Sequence, residues 1–183
     1  MDFPKTADIV IIGGGGVGVA TAYYLAKSGR KNIVVLEKNT VCSGSTGRCG
    51  AGIRAQWGLE LNCRMALATL DTFEHLDEEL GLPTGLNQGG YLLVAYKEKE
   101  WAQFQKNVEL QHSLGIMTEA FTDVKRAHEI CPGVAVDDAI GFTYYDRDGH
   151  ADPFLTTFAF QEAAKRYGVT FCKFTEVLGL DVE

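Results

Sequence analysis

The sequence has no apolar run near the ~18 residues that a membrane span requires. It has no C-x-x-C pair. Cys42, Cys49, Cys63, Cys131 and Cys172 stand apart, which argues against a zinc site or an iron–sulfur cluster held by this chain alone and fits reduced thiols in a cytoplasmic protein. It has no excess of positive charge. Lys and Arg number 17 against 24 Asp and Glu, for a net charge of −7, which argues against general binding to nucleic acid or to anionic membranes. The N-terminal "MDFPKTADIVIIGGGG" lacks a basic leader and a small-residue cleavage site, so its short apolar run reads as a first strand and not as a signal. Internal repeats and low-complexity linkers are also missing.

What is present is an ordinary globular composition with one bias. The 183 residues suit one domain, or one and a fraction. Hydrophobic residues make up 46% and charged residues 22%, both usual values. Glycine is enriched: 21 of 183 residues, about 11% against a usual ~7%.

The glycines concentrate where they have work to do. "ADIVIIGGGGVGVATAYYLAKSGRKNIVVLEK" reads as strand, tight turn, helix, strand. Ile9 to Ile12 and Ile33 to Leu36 are continuous apolar runs, as buried parallel strands are. Between them Gly13, Gly15 and Gly18 form G-x-G-x-x-G, followed by Val19, Ala22, Tyr23 and Ala26 at helical spacing and Gly29 as a helix stop. Gly13 permits the turn, Gly15 lets a pyrophosphate approach the backbone, and Gly18 lets helix and strand pack closely. The helix start offers unpaired N–H groups and a partial positive charge to phosphates. Glu37 lies 19 residues after Gly18, near the distance at which an acid accepts a bond from a ribose hydroxyl. The bound group should contain ADP, as FAD and NAD do, while NADP is disfavoured because Glu37 would repel its 2′-phosphate.

The stretch "CSGSTGRCGAGIRAQW", Cys42 to Trp57, then breaks the regular alternation. It is too rich in small residues for a good helix and too rich in glycine for a good strand. Ser45 and Thr46 bring hydroxyls, Arg48 a rigid cation, and Gly50, Ala51 and Gly52 a closely approachable backbone. A cofactor longer than NAD needs such a lobe, which favours FAD.

In these motifs the chain resembles the D-amino acid oxidase superfamily of FAD enzymes. The resemblance rests on "DIVIIGGGGVGVATAYYLAKSG", "VVLEK", "GSTGRCGAGIRAQW", "GGYLLVAYKEKE" and "DGHADPF", in order over nearly the whole chain. Within the superfamily the likeness is nearest to beta subunits of heteromeric sarcosine oxidases and to archaeal L-proline dehydrogenases. It implies that Gly16, Val17, Glu37, Lys38, Ser45 and Thr46 contact FAD, that Ala51, Gly52 and Ile53 lie near the flavin, and that Val177 meets the adenine side through its backbone. Arg48 and Arg54 are implied to face the isoalloxazine or the substrate cavity, with an ordinary surface role the alternative, and Tyr91 is a further candidate for substrate contact. Some relatives attach FMN through a histidine that aligns here with Ala151, so covalent FMN is not expected. No catalytic residue and no metal ligand can be assigned.

Leu59, Cys63, Ala66, Leu70, Phe73, Leu76 and Leu80 predict one long helix ending near Gly81 and Pro83, with His75 off the apolar stripe and solvated. "GGYLLVAY" and "AIGFTYYD" predict strands, Trp101, Phe104 and Val108 a helix, and "FTDVKRAHEIC" a short one. Tyr144 and Tyr145 on the later strand are expected to pack in the core or at an edge. Asp152 and Pro153 predict the cap and first turn of a helix whose apolar face is Leu155, Phe158, Ala159 and Ala163. "GVTFCKFTEVLGLDVE" predicts a third parallel strand, in the order 3-2-1, and the start of another strand pair.

The expected fold is therefore α/β: a Rossmann-like FAD-binding domain over 1–85 and 150–183, with 86–149 an inserted antiparallel α+β substrate domain. The resemblance implies longer relatives, so both domains are expected to be incomplete here. It also implies oxidation of the C–N bond of a small secondary amine or amino acid, such as sarcosine, proline or hydroxyproline, by hydride transfer to the flavin. Partner subunits of a heteromeric enzyme are implied too. A non-catalytic nucleotide-binding subunit acting in assembly, and more remotely an NAD-dependent dehydrogenase, stay open.

Overall fold

Two apolar runs, rich in β-branched residues, form the first ladder. In the computed structural model, which describes residues 4–182, β1 (Ile9–Ile12) pairs in parallel with β2 (Ile33–Leu36), Ile9 opposite Ile33. β8 (Thr170–Cys172) joins the far side of β2, also in parallel. The order β1-β2-β8 is the expected 3-2-1.

The chain divides into two compact units. The first takes the chain up to Ala51, Leu76–Gly85, and the chain from Ala151 onward. It holds the parallel sheet with α1 (Gly16–Lys27), the one-turn helix Thr46–Arg48, α3 (Leu76–Leu80) and α6 (Pro153–Arg166). The predicted stripe of α1 is the buried one: Val19, Ala22, Tyr23 and Ala26. Tyr23 meets Phe160 of α6 edge-on, with ring centroids 5.5 Å apart. The buried face of α6 differs from the expected one. Ala159 and Ala163 are inside, but Phe160 and Ala164 join them, while Leu155 and Phe158 are exposed. Phe160 is selected because it meets the rings of Tyr23 and Tyr24.

The second unit is Gly52–His75 and Leu86–His150. β4 (Tyr91–Ala95), β6 (Gly141–Tyr145) and β5 (Glu119–Phe121) form an antiparallel sheet in the order β4-β6-β5. α2 (Glu60–Glu74), α4 (Glu98–Ser113) and α5 (Val124–Ile130) accompany it. β3 (Gly52–Ile53) pairs antiparallel with β7 (Gly149–His150). Ala55, Cys63, Leu70, Ile116 and Tyr145 form one apolar cluster, and Ala127, Val136 and Phe142 another. Residues 52–75, which the sequence groups with the FAD-binding stretch, pack in this unit because Cys63 and Leu70 enter the first of those clusters.

Two further expectations are corrected. The single helix over Leu59–Leu80 is two helices separated at His75, which takes the non-helical pair φ −114°, ψ 3° and is exposed. Leu59 is outside the buried stripe and exposed, because it is the extended N-cap residue of α2. After Cys172 no further strand forms among the described residues.

Candidate functional site

The glycine turn after β1 is built by backbone geometry. Gly13 has φ +108°, a left-handed conformation that side chains resist. A Cβ on Gly18 would collide with the Gly13 carbonyl, so the close pass of α1 over the strand end needs glycine there. Gly15, the N-cap of α1, has no side-chain cap, and the first turn holds no acidic residue. The helix start therefore presents donors and a partial positive charge with no carboxylate of its own to neutralise them.

Three predicted residues converge on this turn. The Gly16 N–H donates to Thr46 Oγ1 at 3.0 Å. Glu37, at the end of β2, accepts from the Gly14 N–H at 2.7 Å and from the Asn39 N–H at 2.8 Å. Thr46 also stands over Gly15, where a Cβ would come within 3.2 Å of its hydroxyl. The loop is brought to the turn by the Cys42 N–H, which donates to the Gly14 carbonyl at 3.0 Å. Gly47 is needed for close approach, since a Cβ there would strike the Cys42 carbonyl and the Phe154 ring. Ser45, Arg48, Gly50 and Lys38 are exposed, Val17 is exposed on α1, and Val177 is half-buried beyond β8. Ala51 has φ +57°, unusual for a residue with a Cβ, and its carbonyl accepts from the Ala151 N–H at 3.1 Å.

This donor set fits a dinucleotide. The turn offers amides and hydroxyls to a diphosphate, and Glu37 offers a carboxylate to ribose hydroxyls. Gly14 and Asn39, which share Glu37, were not singled out by the sequence; the four-glycine run is the only signal for Gly14.

In the second unit, Gly52, Ile53, Arg54, Trp57, Thr69 and Tyr91 line a hollow of about 380 Å3. The Arg54 guanidinium stacks on the Trp57 ring, 4.0 Å from its centroid, and the indole N–H donates to the Arg54 carbonyl at 2.8 Å. Such a stack keeps the cation while restricting its motion. The Tyr91 hydroxyl lies against Gly52, where no Cβ fits. Thus Gly52, Ile53, Arg54 and Tyr91, all named from sequence, share one hollow. Tyr145 is buried in the apolar cluster, and the Tyr144 hydroxyl donates to the Gly89 carbonyl at 3.2 Å.

The residues between Arg54 and Trp57 are bonded to a group that the sequence did not reveal. Asp148 is fully buried. It accepts from the Ala55 N–H at 2.6 Å and from Gln56 Nε2 at 3.0 Å. Burial pushes its carboxyl above the usual range, against the opposing pull of those two donors and of the Arg54 guanidinium. In "DRDGH" it reads as one more turn aspartate.

The chain is similar to known flavoproteins over nearly all its length. It is 34% identical over 181 residues to the sarcosine oxidase subunit beta of Arthrobacter sp, an alignment that takes in 96% of this chain and 44% of that one. It is 33% identical over 170 residues to the mitochondrial dimethylglycine dehydrogenase of Rattus norvegicus, covering 92% of this chain and 20% of that protein. The crystal structure of L-proline dehydrogenase from P.horikoshii superposes with a TM-score of 0.92 at 39% identity, over 99% of this chain and 47% of that chain. The chain thus spans between a fifth and a half of these relatives. The family profile of DAO, FAD dependent oxidoreductase, matches residues 8–183. The mixed α/β fold, the glycine turn with Thr46 and Glu37 about it, and this match have one reading: the chain belongs to the DAO family of FAD-dependent oxidoreductases.

Proposed function

We propose that the protein takes part in the FAD-dependent oxidation of the C–N bond of a small secondary amine or amino acid, of the sarcosine, proline or hydroxyproline kind. The observation that carries this reading is the Arg54–Trp57 stack over the hollow of the second unit. A fixed cation beside apolar walls suits a ligand with a carboxylate at one end and a short carbon skeleton at the other. The relatives named above, which act on sarcosine, dimethylglycine and proline by their names, support that substrate class.

In this reading residues 86–149 contribute to the substrate layer, and the stretches 1–85 and 150–183 belong to the FAD-binding part. The amides of Gly15 to Gly18 and the hydroxyls of Ser45 and Thr46 hold the diphosphate, and Glu37 holds the adenosine ribose. Lys38, Arg48, Gly50, Ala51 and Val177 add contacts to the rest of the dinucleotide. Gly52 and Ile53 leave room for the ring system, Arg54 binds the substrate carboxylate, and Tyr91 closes the hollow beside Gly52. Bound FAD supplies the hydride acceptor. The protein's share is to orient the amine's carbon and to exclude water. Relatives that are beta subunits support an assembly with further subunits.

The test is spectroscopic. Assembled with its partner subunits, the protein should carry a flavin spectrum that bleaches anaerobically on adding sarcosine or L-proline and does not respond to NADH, whereas the 183-residue chain alone is expected not to oxidise amines. A flavin-loaded protein whose spectrum ignores every small amino acid and amine would leave it a binding subunit and overturn the catalytic reading.

A further inference from the structure

We propose that Asp148, with Gln56 and Thr143, is a positioning network that sets the Arg54–Trp57 stack to receive the substrate carboxylate. The proposal rests on the reading of the hollow just given.

The hydrogen bonds around this carboxylate form a closed set. Gln56 Nε2 has two N–H groups, one directed to Asp148 Oδ2 at 3.0 Å and the other to the Tyr91 carbonyl at 2.8 Å. Gln56 Oε1 accepts from the Thr143 hydroxyl at 2.8 Å. Asp148 Oδ1 takes the Ala55 N–H at 2.6 Å. A flipped Gln56 amide would set its oxygen against the Asp148 carboxylate and the Tyr91 carbonyl, acceptor facing acceptor, so its orientation is fixed. Gln56, Thr143 and Asp148 are all buried.

This set grips the two residues that separate Arg54 from Trp57. Ala55 is held through its backbone and Gln56 through its side chain. The far end is held as well: the Trp57 carbonyl accepts from Gln111 Nε2 at 2.9 Å and from Cys63 Sγ at 3.2 Å. The backbone from Arg54 to Trp57 is thus fixed from three sides, and the guanidinium rests on the ring in front of it. Tyr91, whose carbonyl receives Gln56, lines the same hollow.

Chemistry argues that this is more than packing. A buried carboxylate is costly to desolvate, and an apolar or amide side chain of similar size would avoid that cost. The negative charge has a use where it stands, because it balances the cation that the hollow needs. Its oxygens are taken by the Ala55 and Gln56 N–H groups, and Arg54 and the carboxylate act on each other by charge, which leaves the guanidinium's own donors to a ligand.

The experiment compares the flavin-loaded protein with its Asp148→Asn, Thr143→Val, Arg54→Lys and Arg54→Lys/Asp148→Asn variants. Flavin content reports folding. Acrylamide quenching of Trp57, taken as the difference from each protein's Trp57→Phe form, reports the stack without substrate. KM and kcat with sarcosine and L-proline report carboxylate binding. Asp148→Asn is expected to keep its flavin, raise KM at least about tenfold with kcat within about threefold, and increase Trp57 quenching. The double variant should be hardly worse than Arg54→Lys alone, since both act through one guanidinium. Unchanged KM and quenching in Asp148→Asn, or fully multiplicative effects in the double variant, overturn the proposal. If Asp148→Asn fails to retain flavin, Thr143→Val decides: a several-fold rise in KM with altered quenching supports the network, and no change overturns it. If the parent oxidises no amine, the functional reading fails, and the quenching arm alone decides whether Asp148 positions the stack.

Discussion

At the scale of single residues, Tyr23 shows how a helix-stripe position acquires chemistry that spacing does not announce. Its place inside the first unit follows from the α1 pattern. Its hydroxyl finds Glu79 Oε1 at 3.0 Å, and Lys27 Nζ meets the same oxygen at 2.8 Å. Burial first, and the bond to Glu79 second, push the phenol up to about 12 from an ordinary 10. The native state therefore holds this proton more tightly than the unfolded chain does. Tyr23 contributes fully below pH 10, and that contribution is lost as pH rises from 10 to about 12. Melting temperatures across that window should fall more steeply for the parent than for Tyr23→Phe, which keeps the Lys27–Glu79 pair. Parallel curves would contradict the assignment.

Among the elements, α6 was legible at its start and less so along its length. Asp152 Oδ1 accepts from the Phe154 and Leu155 N–H groups at 2.8 Å each, with Pro153 in the first turn. Both features are local and were read from "DGHADP". Asp152→Ala should cost about 1 kcal/mol, measured by denaturant unfolding, and Asp152→Asn should recover most of it; an alanine variant as stable as the parent would refute the cap. Spacing does not separate Phe158 from Phe160, since both lie near an apolar stripe, and the aromatic rings of α1 choose Phe160. The same limit applies to the stretch from Leu59 to Leu80. Its stripe is continuous in sequence, but Cys63 and Leu70 serve the core of one unit while Leu76 and Leu80 belong to the other. The break falls at His75, where the chain passes from one unit to the other.

On the scale of the whole molecule, the parallel sheet of the first unit has one open side. Among the described residues β1 pairs only with β2. Val10 and Ile12 are 52% and 57% exposed, while Ile9 and Ile11 are half-buried on the other face. Parallel strands are ordinarily covered on both faces, and a bare edge invites pairing with another chain. The 183-residue chain by itself should therefore self-associate, and Val10→Lys with Ile12→Lys should reduce that association. Light scattering over a range of concentrations checks this; a parent that stays monomeric throughout would sink the prediction.

The sequence alone determined the dinucleotide turn, the strand order beside it and the choice of FAD. The turn and the choice of FAD depend on near neighbours: Gly13, Gly15 and Gly18 follow a strand directly, and the lobe from Ser45 to Gly52 follows the next. The strand order sets Thr170 beside Val34 from 136 positions away, and it is readable because each strand is its own apolar run in an α/β pattern. The same stretch supplied Arg54. Only the tertiary structure decided which residues bind the backbone and side chain next to that cation. Asp148 lies 93 positions from Ala55 and Thr143 lies 87 from Gln56, and no local pattern marks such partners. The antiparallel pairing of β4 with β6 and the course of the chain behind the hollow bring them together. Once buried, the carboxylate must take every donor within reach, and it was the fold that supplied them.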